Sequence, residues 1–138
     1  MSYKLIEGKN HSDTRGILTF NNDFDASAIK RMYTIQNNDI NFVRAWQGHK
    51  IESRWFSAIQ GSFEIKLIKI DGGNKVDKKT KVSIFVLNSN TLDVLCVPKG
   101  YVSSIQAKEK DSKLLVMSDY LLGEVDDEYR FAPDYFEI

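Results

Sequence analysis

Short apolar runs separated by polar turns dominate this chain. Residues 63–67 alternate apolar and charged side chains, which is typical of a strand with one buried and one solvated face. The pattern continues to Ile70 and a strong turn signal at 71–74. After a charged loop at 75–81, the apolar segment 82–87 predicts the returning strand. The same pattern predicts further strands at 16–20, 31–35, 43–46, 54–59, 91–97, 101–107 and 113–118.

Many short strands, spaced at about ten residues, predict an all-β sandwich or barrel. The strands at 101–107 and 113–118 are expected to form a pair across the turn at 108–111. Only 23–28 is a candidate for a short helix. The 138 residues contain no internal repeat and no low-complexity tract, so a single domain spanning residues 1–138 is predicted.

Composition and charge narrow the classes of function. Hydrophobic residues make up 42% and aromatic residues 12% of the chain, which is ordinary for a globular protein. The 19 basic residues balance the 19 acidic ones, so no net field attracts nucleic acid or an anionic membrane, although a local basic pocket for a phosphate is compatible with this balance. No apolar run approaches the roughly 20 residues that span a bilayer, and the first residues lack the apolar run of a signal peptide. These features predict a cytoplasmic protein.

Three local features of the sequence lead to further predictions. The single cysteine, Cys96, excludes an internal disulfide, and its apolar neighbours predict a buried strand thiol without nucleophilic function. His11 lies in a polar turn and is expected at the surface. The tail at 123–136 mixes acidic and aromatic residues and is therefore expected to pack against the domain or a partner subunit. Its aromatic residues, with one just upstream, are Tyr120, Tyr129, Phe131, Tyr135 and Phe136.

Two segments, 44–50 (RAWQGHK) and 98–101 (PKGY), resemble the two signature regions of a cupin β-barrel with the metal ligands largely missing. Further similarities are Asp-Thr-Arg-Gly at 13–16, the glycine Gly61 and Ser-Asp-Tyr at 118–120. In their order and spacing these motifs resemble the sugar-nucleotide cupins of deoxysugar biosynthesis. This group includes the WxcM-like 3,4-ketoisomerases of dTDP-4-keto-6-deoxyglucose and the dTDP-4-dehydrorhamnose 3,5-epimerases.

The resemblance implies a cupin fold, which is a jelly-roll β-barrel also described as a double-stranded β-helix. It implies a homodimer that often exchanges N-terminal strands, with a dTDP-linked 4-ketosugar as the small-molecule partner in the barrel mouth. It further implies that the protein uses no metal and no organic cofactor.

Several positions depart from the family pattern. Gln47 stands where the epimerases have their catalytic base, whereas His49 stands at a histidine that only the ketoisomerase pattern has. The expected glutamate position of the first motif holds Ser53, and the histidine position of the second holds Ser103. Glu52 is one place from the expected glutamate, and strand alternation predicts that its carboxylate points outward. With so few ligands no metal site is expected.

Moving a keto group from C4 to C3 of a sugar needs a base that titrates near neutral pH, which favours histidine. His49 is therefore predicted as the base and Tyr120 as the acid. On an extended strand Gln47 and His49 share one face, which we expect to be the barrel interior, while Trp46 faces the outer layer or a dimer interface.

The remaining candidates are substrate contacts. Arg44 is predicted to contact the diphosphate, because a guanidinium suits a phosphate oxygen pair. Gln47 is predicted to bind a sugar hydroxyl. The further candidates for substrate binding are Lys50, Arg54, Tyr101 and Arg15.

These features support the hypothesis of a metal-free isomerase that converts a dTDP-linked 4-keto-6-deoxyhexose by 3,4-ketoisomerisation. The alternatives are a 3,5-epimerase with an altered base, a sugar-nucleotide-binding cupin without turnover, and a structural cupin whose barrel is filled with side chains.

Overall fold

The computed structural model describes residues 2–70 and 80–137. Within these residues the regular structure is entirely β. The strands are β1 (Lys4–Ile6), β2 (Lys9–Asp13), β3 (Gly16–Phe20), β4 (Arg31–Ile35), β5 (Val43–His49), β6 (Arg54–Gln60), β7 (Ser62–Lys69), β8 (Val82–Asn88), β9 (Val94–Val97), β10 (Tyr101–Ala107), β11 (Lys113–Ser118) and β12 (Glu128–Arg130). In the described part of the chain no helix is long and apolar enough to cross a membrane.

Two five-stranded antiparallel sheets form the body of the domain. The first has the order β1-β9-β6-β11-β4, and the second has the order β12-β5-β10-β7-β8. Consecutive strands alternate between the sheets in the second half of the chain, as in a jelly roll. The predicted all-β jelly-roll fold is confirmed, although the described strands form two open sheets and not a closed barrel.

The core fills the space between the two sheets. Alternation puts Phe63, Ile65 and Leu67 of β7 on the inner face, where they are at most 1% exposed. Phe56 of β6 and Val116 of β11 contact them from the other sheet. Because apolar burial is the main favourable term in folding, this alternation determines which face of each strand turns inward.

A second apolar cluster lies on the outer face of the second sheet. Trp46, which is 1% exposed, packs there with Ile68, Val102 and the C-terminal Phe136. The rings of Trp46 and Phe136 meet edge to face with their centroids 5.2 Å apart. The prediction that Trp46 faces an outer layer is confirmed, and so is the prediction that the aromatic tail packs back on the domain. β12 within this tail extends the sheet by pairing with β5.

Some predicted elements differ from the structure. The segments 101–107 and 113–118 do not pair, because β10 lies between β5 and β7 while β11 lies between β4 and β6. The candidate helix at 23–28 is absent, because Asn21 Oδ1 accepts hydrogen bonds from the backbone N–H groups of Asp23 and Phe24 and stabilises turns instead.

Other predictions are confirmed. Strand 82–87 returns alongside 63–70, as the β7–β8 pairing shows. His11 is exposed on the projecting hairpin β2–β3. Cys96 lies on a strand, β9, as predicted, but it is half-buried and not buried; burial raises the pKa of its thiol and so disfavours the nucleophilic thiolate. The turn predicted at 71–74 and most of the loop predicted at 75–81 lie outside the described residues.

Candidate functional site

A cavity opens between the two sheets. About 540 Å³ of it, mouth included, contains no protein atoms, and about 50 Å³ can take the centre of a water molecule. The space is narrow, but side chains do not fill it. Its lining comes from both sheets and includes Tyr33, Ile35, Arg44, Gln47, Gly48, His49, Glu52, Arg54, Phe56, Val97, Pro98, Tyr101, Ser103 and Ile105.

A bulge in β5 brings Arg44 to this cavity. In the β5–β10 pairing, Ser103 is opposite Gln47 and Ile105 is opposite Arg44. Between these two pairs β5 contains one residue more than β10. Simple alternation would have turned Arg44 away from Gln47. The extra residue restores Arg44 to the face that carries Gln47 and His49, and all three line the cavity.

Gly48 allows β5 and β10 to approach closely beside the cavity. A Cβ atom added at this position would lie 1.8 Å from the carbonyl oxygen of Tyr101. Because no side chain could occupy that space, only glycine fits between Gln47 and His49. The tight contact fixes His49 next to the start of β10, where Tyr101 is its register partner.

His49 is held by the C-terminal tail. Its Nδ1 lies 3.0 Å from Oδ1 of Asp127, whose side chain is 2% exposed. An ionised carboxylate can only accept, so Nδ1 carries the proton and donates it in this bond. In a neutral imidazole this contact places the proton on Nδ1 and leaves Nε2, on the opposite side, unprotonated, which is the tautomer a general base requires.

Asp127 also holds the turn that follows β5. Its Oδ2 accepts hydrogen bonds from the backbone N–H groups of Ile51 and Glu52, both at 2.8 Å. Burial opposes the charge of this carboxylate, but the hydrogen bonds from Glu52, His49 and Ile51 outweigh burial and lower the pKa of Asp127 to about 2. The carboxylate is therefore ionised throughout the physiological range.

The prediction that the Glu52 carboxylate points outward is wrong. It is 7% exposed and lies in the turn between β5 and β6, where strand alternation does not apply. Its Oε1 accepts hydrogen bonds from Arg54 Nη1 at 3.0 Å and from the Ser118 hydroxyl at 2.8 Å. Its Oε2 lies 3.2 Å from His49 Nδ1, so two carboxylates flank the same imidazole nitrogen.

The opposite nitrogen of that imidazole meets Arg54, which opens β6. Arg54 Nη2 donates to His49 Nε2 at 2.9 Å, while Nη1 also donates to the Ser118 hydroxyl at 2.6 Å. Arg54 is only 8% exposed, and a buried guanidinium needs such partners. The result is a connected network of His49, Glu52, Arg54, Ser118 and Asp127.

Three of these residues could in principle be metal ligands. Ligand atoms of His49, Glu52 and Asp127 all lie within 4.8 Å of one another. However, the Arg54 guanidinium is hydrogen-bonded to two of the three, so a cation bound there would face a positive charge at short range. The set fits a charge-compensated hydrogen-bond network better than a metal centre, and the expectation of a metal-free site stays a prediction.

Two residues of β10 contribute hydroxyl groups to the lining. Tyr101 is 7% exposed, and its ring meets the ring of Tyr3 edge to face at 6.0 Å. The Ser103 hydroxyl donates to the backbone carbonyl of Gln47 at 3.3 Å. Within the described residues, the predicted contacts Arg44, Gln47, Arg54 and Tyr101 thus lie together with His49.

Three other predicted residues are not among the described residues that line the cavity. Lys50 is exposed with its Nζ 5.2 Å from the centroid of the Tyr129 ring, because it follows His49 on the opposite side of the chain. The centroid of the Tyr120 ring, the predicted acid, lies 5.7 Å from Lys30 Nζ. Arg15 is on the exposed hairpin, paired with Asp13 at 2.7 Å.

Sequence reasoning missed Asp127, Ser118 and the inward position of Glu52. Ser118 and Asp119 lie in the Ser-Asp-Tyr motif, and Asp119 accepts a hydrogen bond from the backbone of Ser53 at 2.9 Å. That motif therefore stabilises the turn beneath the site. The one signal for Asp127 was the acidic, aromatic tail, which predicted packing but not a particular contact.

Solved structures with the same fold include sugar-nucleotide enzymes. A mutant of the 3,4-ketoisomerase QdtA from Thermoanaerobacterium thermosaccharolyticum, in complex with TDP-4-keto-6-deoxyglucose, matches with a TM-score of 0.73 and 22% identity over 97% of this chain and 91% of that one. A 3,4-ketoisomerase from Helicobacter canadensis matches with a TM-score of 0.72 and 22% identity over 98% and 95%. The dTDP-4-dehydrorhamnose 3,5-epimerase from Bacillus anthracis str. Ames, with TDP and PPi bound, matches with a TM-score of 0.73 and 14% identity over 91% and 76%.

A comparison with curated protein sequences gives no match. The sequence model of one family, described as "FdtA: WxcM-like, C-terminal", matches residues 1–136. This match spans nearly the whole chain, including the segments 44–50 and 98–101. The chain therefore belongs to the FdtA family of WxcM-like C-terminal domains.

Proposed function

We propose that the protein is an isomerase of a dTDP-linked 4-keto-6-deoxyhexose and catalyses 3,4-ketoisomerisation in deoxysugar biosynthesis. The observation that carries the proposal is the His49–Asp127 pair at the cavity, with Nδ1 of the imidazole held 3.0 Å from the carboxylate. Family membership and the ketoisomerases among the solved structures of the same fold give independent support.

The proposed reaction assigns roles to three of the lining residues and to Asp127. His49 Nε2 takes the C3 proton, exchanges it with solvent and delivers a proton to C4, while Asp127 keeps the imidazole in the required tautomer. Exposed Arg44 binds the diphosphate at the mouth, and Gln47 binds a sugar hydroxyl. One base serving both carbons removes the need for Tyr120, whose ring is engaged with Lys30.

We further propose a cytoplasmic homodimer. The hairpin β2–β3 projects from the domain with Ile17 at 73% and Leu18 at 63% exposure, which is costly for apolar side chains in a monomer. In a dimer that exchanges N-terminal strands, this hairpin would bring Arg15 toward the partner's ligand, in keeping with its predicted role in substrate binding.

The test is proton NMR in heavy water with dTDP-4-keto-6-deoxyglucose. Formation of a 3-keto product with deuterium at C4 supports ketoisomerisation. Deuterium at C3 and C5 without carbonyl migration would instead indicate an epimerase whose base is not at position 47. Nucleotide line broadening without exchange would leave a binding protein without turnover, an alternative that the replacement of a family histidine by Gln47 supports. Failure to bind any nucleotide would favour a structural cupin.

His49→Asn provides the matched variant for this test. Asparagine retains a hydrogen-bonding side chain but cannot accept a proton near neutral pH, so turnover should disappear while dTDP affinity stays within a few-fold. Isothermal titration calorimetry measures the affinity. Full activity in this variant would remove His49 from the role of base.

A further inference from the structure

Arg54 is unusual among the cations of the cavity because it is both buried and directed at the predicted base. Its Nη1 is anchored by Glu52 Oε1 at 3.0 Å and by the Ser118 hydroxyl at 2.6 Å. Its Nη2 points to His49 Nε2 at 2.9 Å. The guanidinium is therefore fixed in place by buried partners before any ligand binds, with one donor nitrogen beside the lone pair of the base.

This position does not suit a diphosphate contact. A nucleotide diphosphate is strongly solvated and is bound where a cation can reach it, and exposed Arg44 meets that requirement on the same cavity. The Arg54 charge is already compensated by Glu52 and sits in the network around the imidazole. The guanidinium nitrogen that this network leaves directed at the base is Nη2, which lies 2.9 Å from His49 Nε2.

Enolisation requires two groups side by side at the reacting atoms. The base must approach the carbon that loses its proton, and a donor must approach the carbonyl oxygen one bond further along, where negative charge develops. Reacting atoms approach to about 3–3.5 Å, and oxyanion donors to about 2.7–3.1 Å. A base nitrogen and a donor nitrogen that are already in contact, as His49 Nε2 and Arg54 Nη2 are, need only small shifts to meet both atoms.

We propose that Arg54 is a catalytic residue that donates a hydrogen bond from Nη2 to the keto oxygen of the bound sugar and stabilises the enolate. The inference rests on the proposed ketoisomerase function and assigns the electrophile that this function requires. In the ligand-free chain Nη2 satisfies the lone pair of His49 Nε2. The keto oxygen replaces that acceptor when substrate binds, which frees Nε2 to act as the base.

The electron and proton balance is complete without a co-reactant. The C3–H bond breaks and its proton goes to Nε2, its electron pair forms the C3=C4 bond, and the C4=O π electrons move to the oxygen beside Arg54. A proton then passes from the C3 hydroxyl oxygen to the C4 oxygen. After exchange of the Nε2 proton with solvent, delivery of a proton from Nε2 to C4 gives the 3-ketone, and Arg54 remains protonated throughout.

The experiment compares Arg54→Gln, Arg54→Lys and the double variant Arg54→Gln with Glu52→Gln, each with wild-type protein. The double variant removes the buried charge that the single substitution leaves unpaired, and circular dichroism checks the fold of all three. We expect kcat to fall by about 10²- to 10³-fold in Arg54→Gln and in the double variant. Affinity for dTDP, which has no keto group, should stay within about threefold, and Arg54→Lys should retain part of the rate.

A second readout separates this inference from the proposed function. Nitrogen-15 NMR follows His49 Nε2, with exposed His11 as the internal reference because the chain has only two histidines. Addition of dTDP-4-keto-6-deoxyglucose should shift the Nε2 signal, whereas dTDP-glucose without the ketone should not. This ketone-dependent shift should disappear in the double variant.

Each outcome is decisive for one of the two claims. Wild-type kcat in the double variant, or a loss confined to dTDP affinity, would overturn the role of Arg54 and leave the isomerase function standing. A wild-type protein that shows the ketone-dependent shift without turnover would refute the isomerase function but support the contact between Arg54 and the ketone. Absence of any ketone-dependent shift in the wild type would overturn the contact itself.

Discussion

Asp127 and His49 are 78 positions apart in the chain, yet Oδ1 of the first lies 3.0 Å from Nδ1 of the second. The contact exists because β12, at the start of the aromatic tail, pairs with β5 and places Glu128 opposite His49. It joins the last part of the fold to the predicted base of the reaction.

Asp127→Asn should reduce kcat by about 10²- to 10⁴-fold, the range typical of general base catalysis. An amide at this position can donate to Nδ1, which would favour the tautomer with the proton on Nε2 and remove the lone pair that the reaction needs. The measurement is the rate of deuterium exchange into the sugar. Asp126→Asn is the matched control, because Asp126 is next to Asp127 in sequence and is not buried. An equal loss in both variants would argue against a specific role for Asp127.

Asp127 should also contribute to stability in a defined pH window. Its pKa is about 2 in the folded chain, against an ordinary value of 3.8 for an aspartate, so folding favours the ionised form. Because folding lowers this pKa, the contribution of Asp127 to the unfolding free energy is complete above about pH 4 and is lost as the pH falls toward 2. A shift of this size corresponds to about 2 kcal/mol of unfolding free energy.

Urea denaturation of wild type and Asp127→Asn at several pH values isolates this contribution, since the other carboxylates titrate in both proteins. The difference in unfolding free energy between the two should shrink steadily from pH 4 to pH 2. A difference independent of pH in this range would mean that the ionised carboxylate is not the source of the stabilisation.

Arg44→Gln should weaken dTDP binding by about 10- to 100-fold, because a hydrogen bond from a charged donor contributes about 1.5–3 kcal/mol. The salt dependence of dTDP binding should also decrease, since one cation near the phosphates is gone. Calorimetry at two salt concentrations measures both effects. Lys50→Gln removes an equal charge from an exposed side chain that is not among the cavity's described lining residues, and it should change affinity less than twofold.

Phe136→Ala should destabilise the fold by about 3 kcal/mol, since the ring is 5% exposed and packs on Trp46. Chemical denaturation gives this value directly. Leu122→Ala serves as control because Leu122 is 82% exposed, and its substitution should change the unfolding free energy by less than about 0.5 kcal/mol. Equal effects in the two variants would mean that the tail does not contribute to the cooperative unit.

The sequence predicted those parts of the fold that depend on local pattern. The alternation at 63–67 placed β7 and its buried face, and the pairing of β7 with β8 followed from the turn signal between them. The partners of β10 and β11 were not predictable in this way, because a connection between the two sheets looks the same in sequence as a hairpin turn.

The site was predictable where motif and strand period agree, as for Gln47 and His49. Arg44 reached the cavity only through a bulge, and Glu52 turned inward because it lies in a turn, so a period-two argument could not place either one. The contact of Asp127 with His49 could not be predicted from the sequence for a different reason. Its partner is 78 residues away, and nothing in the composition of an acidic tail distinguishes one aspartate from its neighbour.

Of the described strands, β12 is the last to be synthesised. During translation, His49 and all described strands of the two sheets other than β12 are made before Asp127. A nascent chain that has emerged only as far as β11 can form much of the core, but it has no carboxylate at position 127 to orient the imidazole. We therefore expect ribosome-stalled chains ending before residue 127 to be catalytically silent even where they are compact.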